Sequence, residues 1–154
     1  MKKILTSKDE FVGRRMNEII CLDDYWQEYK LYMFNDAVLI EQRRYDGYSA
    51  MSEYDILQES VNVNVELDKI NFDYKNGSCH SYKGHTIYNV KAIKVTISPF
   101  GKDLIAKGII AEYELMEYGT KEAKKQIEDI EVKRERDIDE CIAILAKYGI
   151  DVQL

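Results

Sequence analysis

The chain has 154 residues, 45% of them hydrophobic and 32% charged, with a formal net charge of -6. That balance excludes a disordered chain, which is poorer in aliphatic and aromatic groups, and the acidity disfavours broad non-specific binding to phosphate backbones. The length predicts a single domain over residues 1–154, able to bury roughly two-thirds of the surface its unfolded chain exposes without a disulfide or metal.

The three cysteines, Cys21, Cys79 and Cys141, are odd in number and far apart, so no disulfide framework is expected. The basic start at Lys2 and Lys3 is followed at once by Lys8, Asp9 and Glu10, which leaves no apolar core for a signal peptide. No segment approaches the roughly 20 apolar residues of a membrane helix. A cytoplasmic protein with free thiols and no membrane association is expected.

Ser7 and Glu10 have the spacing of a capping box, and Phe11, Val12, Met16, Ile19 and Ile20 recur at helical intervals. The spacing predicts an N-terminal helix ending near Asp23-Asp24. Two β-rich runs follow, Trp26 to Phe34 and Ala37 to Tyr45, separated by Asn35-Asp36. Both turn residues tolerate positive φ, as a tight hairpin turn requires. Folding about that turn sets Phe34 against Ala37, Tyr32 against Leu39, Lys30 against Glu41, Glu28 against Arg43 and Trp26 against Tyr45. Each opposite-charge or aromatic pair contributes roughly 0.2–1 kcal/mol, and a one-residue slip would lose them all.

Ser52 to Glu59 reads as a short helix. Val61, Val63, Val65 and Leu67 alternate with polar residues as a half-buried strand does. Asn76-Gly77 and Lys83-Gly84 read as hairpin turns, and Thr86 to Ile97, rich in β-branched residues, as a longer strand. Ser98-Pro99 has the form of a helix N-cap with proline in the first turn. The composition of residues 100–118 favours helix over strand. Gly119 is expected to break that element and Thr120 to cap the last helix, which closes on Gly149 with Ile150 placed for a Schellman contact. Within this last helix, Lys133 to Asp137 is polar on every face, so its centre must meet water or a polar neighbour. The expected fold class is α+β: a mainly antiparallel sheet of about four to six strands packed by an N-terminal helix and a long C-terminal helix.

Chemistry-bearing constellations are sparse. Cys79-His80 with His85 is the one place where cysteine and histidine meet, and such groups can activate a thiolate or bind zinc. The carboxylates Asp23-Asp24 and Glu112, Glu114 and Glu117 could hold a divalent cation or act as acid and base. No phosphate-binding loop, dinucleotide fingerprint, nucleophile elbow or H-E-x-x-H pattern occurs. A small metal- or thiol-dependent hydrolase built on these groups is therefore the alternative reading, and no cofactor is expected.

The aromatic content points elsewhere. Of the twelve tyrosines, many crowd the hairpin, and one of its faces carries Tyr29, Leu31, Met33, Val38 and Ile40 beside Arg43 and Arg44. Exposed tyrosine, methionine and arginine characterise interfaces, whereas a sheet buried on both sides is the plainer account of the same pattern. The preferred expectation is a non-enzymatic interaction protein, an inhibitor or accessory of bacterial or phage type, that binds a protein partner, a second copy included, through those residues.

Overall fold

The turn at Asn35-Asp36 returns the chain on itself in the register the side chains require. Strands β3 (Gln27–Met33) and β4 (Ala37–Arg44) pair antiparallel, with Tyr32 opposite Leu39, Lys30 opposite Glu41 and Glu28 opposite Arg43. The Phe34 amide donates to the Ala37 carbonyl across the turn at 2.9 Å. This is a computed structural model that describes residues 2–24, 27–44, 47–70, 73–74, 77–78 and 86–151. The expected Trp26–Tyr45 pair and the Lys83-Gly84 turn lie outside the described residues.

Three more strands complete a mixed sheet of five around this hairpin. Strand β1 (Lys3–Leu5) pairs parallel with the start of β4, β2 (Glu18–Asp24) pairs antiparallel with β3, and β5 (Gly47–Ala50) pairs antiparallel with the end of β4. The α+β class holds, but the expected N-terminal helix does not form. Ser7 does cap, its hydroxyl accepting from the Asp9 amide at 3.1 Å. The helix it caps is a single 3-10 turn, Lys8–Phe11. Gly13 then takes φ +80, a left-handed conformation that ends the coil. The run Ile19-Ile20-Cys21-Leu22 goes to the sheet because pairing with β3 satisfies its backbone and places Ile20 and Leu22 against the core.

Two helices and the first turns of a third pack on one face of this sheet. Helix α1 (Glu53–Ser60) starts at a complete capping box between Ser52 and Asp55, and α2 (Pro99–Ala106) starts at Ser98, whose hydroxyl accepts from the Gly101 amide. Residues 100–118 hold helix and no strand, but not as one element: α2 ends at Ala106, residues 107–111 turn with Gly108 at φ +69, and α3 (Glu112–Ala146) begins. Ile4, Tyr29, Leu31, Met33, Val38 and Ile40 from the sheet meet Ile56, Phe100, Leu104 and Leu115 from the helices in one cluster. Gly119 does not break α3, and Thr120 caps nothing: its hydroxyl donates back to the Met116 carbonyl at 2.8 Å within the helix. The glycine serves close packing instead, since a Cβ there would lie 2.4 Å from Val95 Cγ1.

The chain divides into two compact units, Met1–Asn62 with Val95–Thr120 and Val63–Lys94 with Lys121–Leu154. Strands β6 (Val61–Lys69) and β9 (Tyr88–Ile97) form a two-stranded ribbon. In the second unit Ile87, Cys141 and Leu145 make a small core with Ile70, Ile138 and Ile150. The end of α3 closes as the sequence specifies. Ile150 N–H donates to the Leu145 carbonyl and Gly149 N–H to Ala146, with Gly149 at φ +70, which is a Schellman motif. Strands β7 (Asp73–Tyr74) and β8 (Gly77–Ser78) pair Tyr74 with Gly77. Gly77 is thus a strand residue, while Asn76 of the expected Asn76-Gly77 turn lies outside the described residues.

Candidate functional site

The surface expected from the sequence is largely core. Tyr29 is 1% exposed, Met33 is buried, and Leu31, Val38 and Ile40 are fully buried, because α1, α2 and the first turns of α3 cover this face of the sheet. Tyr29 stacks on Phe100 with ring centroids 4.0 Å apart. Its hydroxyl donates to Gln27 and to Glu59, and Gln42 donates to both Gln27 and Tyr29. Of the residues nominated for recognition, Arg43 and Arg44 are exposed. Arg43 pairs with Glu28 at 3.4 Å, while Arg44 donates to Gln42 at 2.7 Å and pairs with Glu59 at 3.5 Å. These five apolar positions therefore cannot present a partner surface.

The opposite face of the sheet is different. The alternation that sends Tyr29, Leu31 and Met33 inward sends Glu28, Lys30 and Tyr32 outward. At the β1 end this outer face is closed by the 3-10 turn: Leu5, Phe34, Ala37 and Leu39 are buried with Phe11 and Tyr32 packed against them, and Phe11 stacks on Tyr32 at 5.7 Å. Lys8 reaches over to Glu41 at 3.0 Å, and Glu41, nearly buried, also accepts from the Tyr32 hydroxyl at 3.1 Å. Arg14 seals the turn end, paired with Asp36 at 3.3 Å and set over the Phe34 ring.

Towards β2 the cover stops. Ile19, opposite Tyr32, is 48% exposed, and Val12 and Met16, on the segment leading into β2, are 76% and 41% exposed. Cys21, opposite Lys30, and Asp23, opposite Glu28, are exposed as well. Among the described residues β2 is also an edge of the sheet. The result is that Ile19, beside Tyr32 on this face, is left half-covered at the sheet edge, with Val12 and Met16 exposed on the segment just before β2.

No family model matches the chain, and no curated protein or solved structure is significantly similar to it.

The groups nominated for chemistry come together nowhere that is described. Cys79, His80 and His85 lie outside the described residues. Asp23 is exposed on β2; Glu112 and Glu117 are exposed on α3 and Glu114 is half-buried. Among the described residues no three histidine, cysteine or acidic side chains are grouped so as to hold a metal ion, and no helix is long and apolar enough to cross a membrane. The polar centre of α3 does meet a polar neighbour. Arg134 donates to Asn89 of β9 at 2.6 Å, and Lys133 lies 3.8 Å from Asp137, which is 5% exposed. Beside them is a cavity of about 200 Å³ walled by Leu67, Thr86, Tyr88 and Ile130.

Sequence reasoning misses Val12, Met16, Ile19 and Cys21, which fall within the expected N-terminal helix. For Ile19 and Cys21 the signal is the short continuous apolar run Ile19-Ile20-Cys21-Leu22, which suits a strand as well as a helix; nothing in the sequence marks Val12 and Met16.

Proposed function

We propose that the protein is a non-enzymatic binding protein, an inhibitor or accessory of bacterial or phage type, that holds a protein partner on the uncovered half of its sheet. The observation that carries this reading is that Ile19 on the outer face of β2, and Val12 and Met16 just before that strand, leave large apolar side chains in water although the β1 end of the face is closed. Contiguous exposed apolar groups with a polar border mark interaction sites more often than isolated ones do. The acidic, tyrosine-rich and motif-poor composition fits the same class.

The test is a charge placed in the patch. Ile19→Glu removes an apolar contact at a half-exposed position, so stability should change by less than about 1 kcal/mol, while partner affinity should fall at least about tenfold. Size-exclusion chromatography of the chain from its own cells reads this directly. The wild type should elute in a complex heavier than the monomer, and Ile19→Glu as the monomer. An unchanged complex, or a monomeric wild type, would refute the reading.

A further inference from the structure

We infer that the open edge of β2 takes an added strand from the partner, an extended segment in which lysine or arginine accompanies alternating apolar residues. This rests on the protein-binding reading and supplies its docking mode and partner chemistry.

Among the described residues β2 pairs with β3 alone. Its register is unbroken from Glu18 opposite Met33 to Asp24 opposite Gln27, so seven residues lie along the edge. An edge strand leaves every second amide and carbonyl unpaired, and proteins commonly blunt such edges with lysine, proline, a bulge or a very short strand. Strand β2 contains no lysine or proline and is as long as the β3 strand it pairs with. Ile20 and Leu22, which point to the core side, are only half-buried and form the rim of the core. A strand laid along β2 would extend the sheet and cover both.

The charge selects the occupant. Glu18, Asp23 and Asp24 are the ionisable carboxylates of β2, and no lysine or arginine lies within it. Asp23 is already opposite Glu28 in the sheet, and like charges directly opposite destabilise a strand pair. Glu28 has Arg43 as its partner; among the described residues no cation pairs with Asp23. A second copy of the chain fits poorly. It would lay against β2 a strand with the same three acidic residues and no lysine or arginine, in a chain of net charge -6. A segment with basic residues opposite Glu18 and Asp23 and apolar ones opposite Ile20 and Leu22 satisfies these positions.

Peptides of sequence KKVTVTK and EEVTVTE, titrated into the full chain and followed by backbone NMR, test this. The basic peptide should bind at least about tenfold more tightly than the acidic one, weaken as salt rises, and shift amides chiefly within Glu18–Asp24. The variant Glu18→Lys/Asp23→Lys, changed at two exposed positions, should reverse the preference. Equal binding of both peptides, shifts centred elsewhere, or an unreversed preference would overturn the inference. If neither peptide binds while Ile19→Glu still releases the cellular complex, the added strand is wrong and the protein-binding reading stands. If Ile19→Glu leaves that complex intact while KKVTVTK still docks on β2, the edge inference survives and the use of the outer face fails.

Discussion

Gly101→Ala should destabilise the protein by about 3 kcal/mol, the upper part of the range for forcing atoms into a packed core. Gly101 is in the first turn of α2, and a Cβ there would lie 2.3 Å from the Ser60 carbonyl oxygen and 2.8 Å from Ile97 Cγ2. Neither neighbour can yield cheaply. The Ser60 carbonyl accepts from the Ser98 amide at 2.9 Å, and the Ser98 hydroxyl donates to the Glu59 carbonyl at 2.7 Å while accepting from Gly101 itself at 3.0 Å. The start of α2 is thus locked to the end of α1 through backbone groups, and a methyl group must spread that lock. Alanine is ordinarily the better helix former by about 1 kcal/mol, so the sign of the effect separates packing from propensity. Urea denaturation measures it, and a stability equal to or above wild type would show that α2 does not approach Ser60 this closely.

Tyr29→Ala should cost about 3–5 kcal/mol, as truncation of a buried aromatic does. The ring stacks on Phe100 within the core, so its loss opens a cavity between sheet and helices. The hydroxyl is part of the cluster with Gln27, Gln42 and Glu59. Tyr29→Phe, which keeps the ring, should therefore lose a smaller amount, about 1–2 kcal/mol, for the partners left unsatisfied around buried Gln42. Had Tyr29 been a surface contact, as its composition-level environment suggests, both substitutions would leave melting unchanged. Thermal or urea unfolding of the pair decides between core and surface.

The hairpin was legible because its pairing is written in local chemistry. Lys30 and Glu41, Glu28 and Arg43, and Tyr32 and Leu39 agree on one register about Asn35-Asp36, and no distant segment is needed to choose it. Ser98 and Gly149 were equally legible, since capping depends on a few neighbouring residues. Which face of the hairpin is buried was not legible. Both faces carry apolar groups, and the covering helices come from residues 53–60 and beyond 98, so the choice is made by packing between segments far apart in sequence. Residues 11–22 failed for a related reason. The apolar run 19–22 suits a strand as well as the helical period that starts at Phe11, and the choice is made by the backbone edge of β3, which lies outside the window being read. Gly119 looked like punctuation because sequence shows a glycine's conformational freedom but not the valine at 95 that needs its missing side chain.

The cysteines offer a reporter that requires no knowledge of the partner. Cys21 is exposed on the uncovered face, whereas Cys141 is buried and serves as the internal reference. In a Cys79→Ser background, the rate of maleimide addition to Cys21 can be compared between the purified chain and the same chain in its own cell extract. The account predicts fast labelling when purified and strongly slowed labelling in extract, restored to the purified rate by Ile19→Glu. Labelling of Cys21 at one rate in both settings would contradict the claim that this face is covered by a partner.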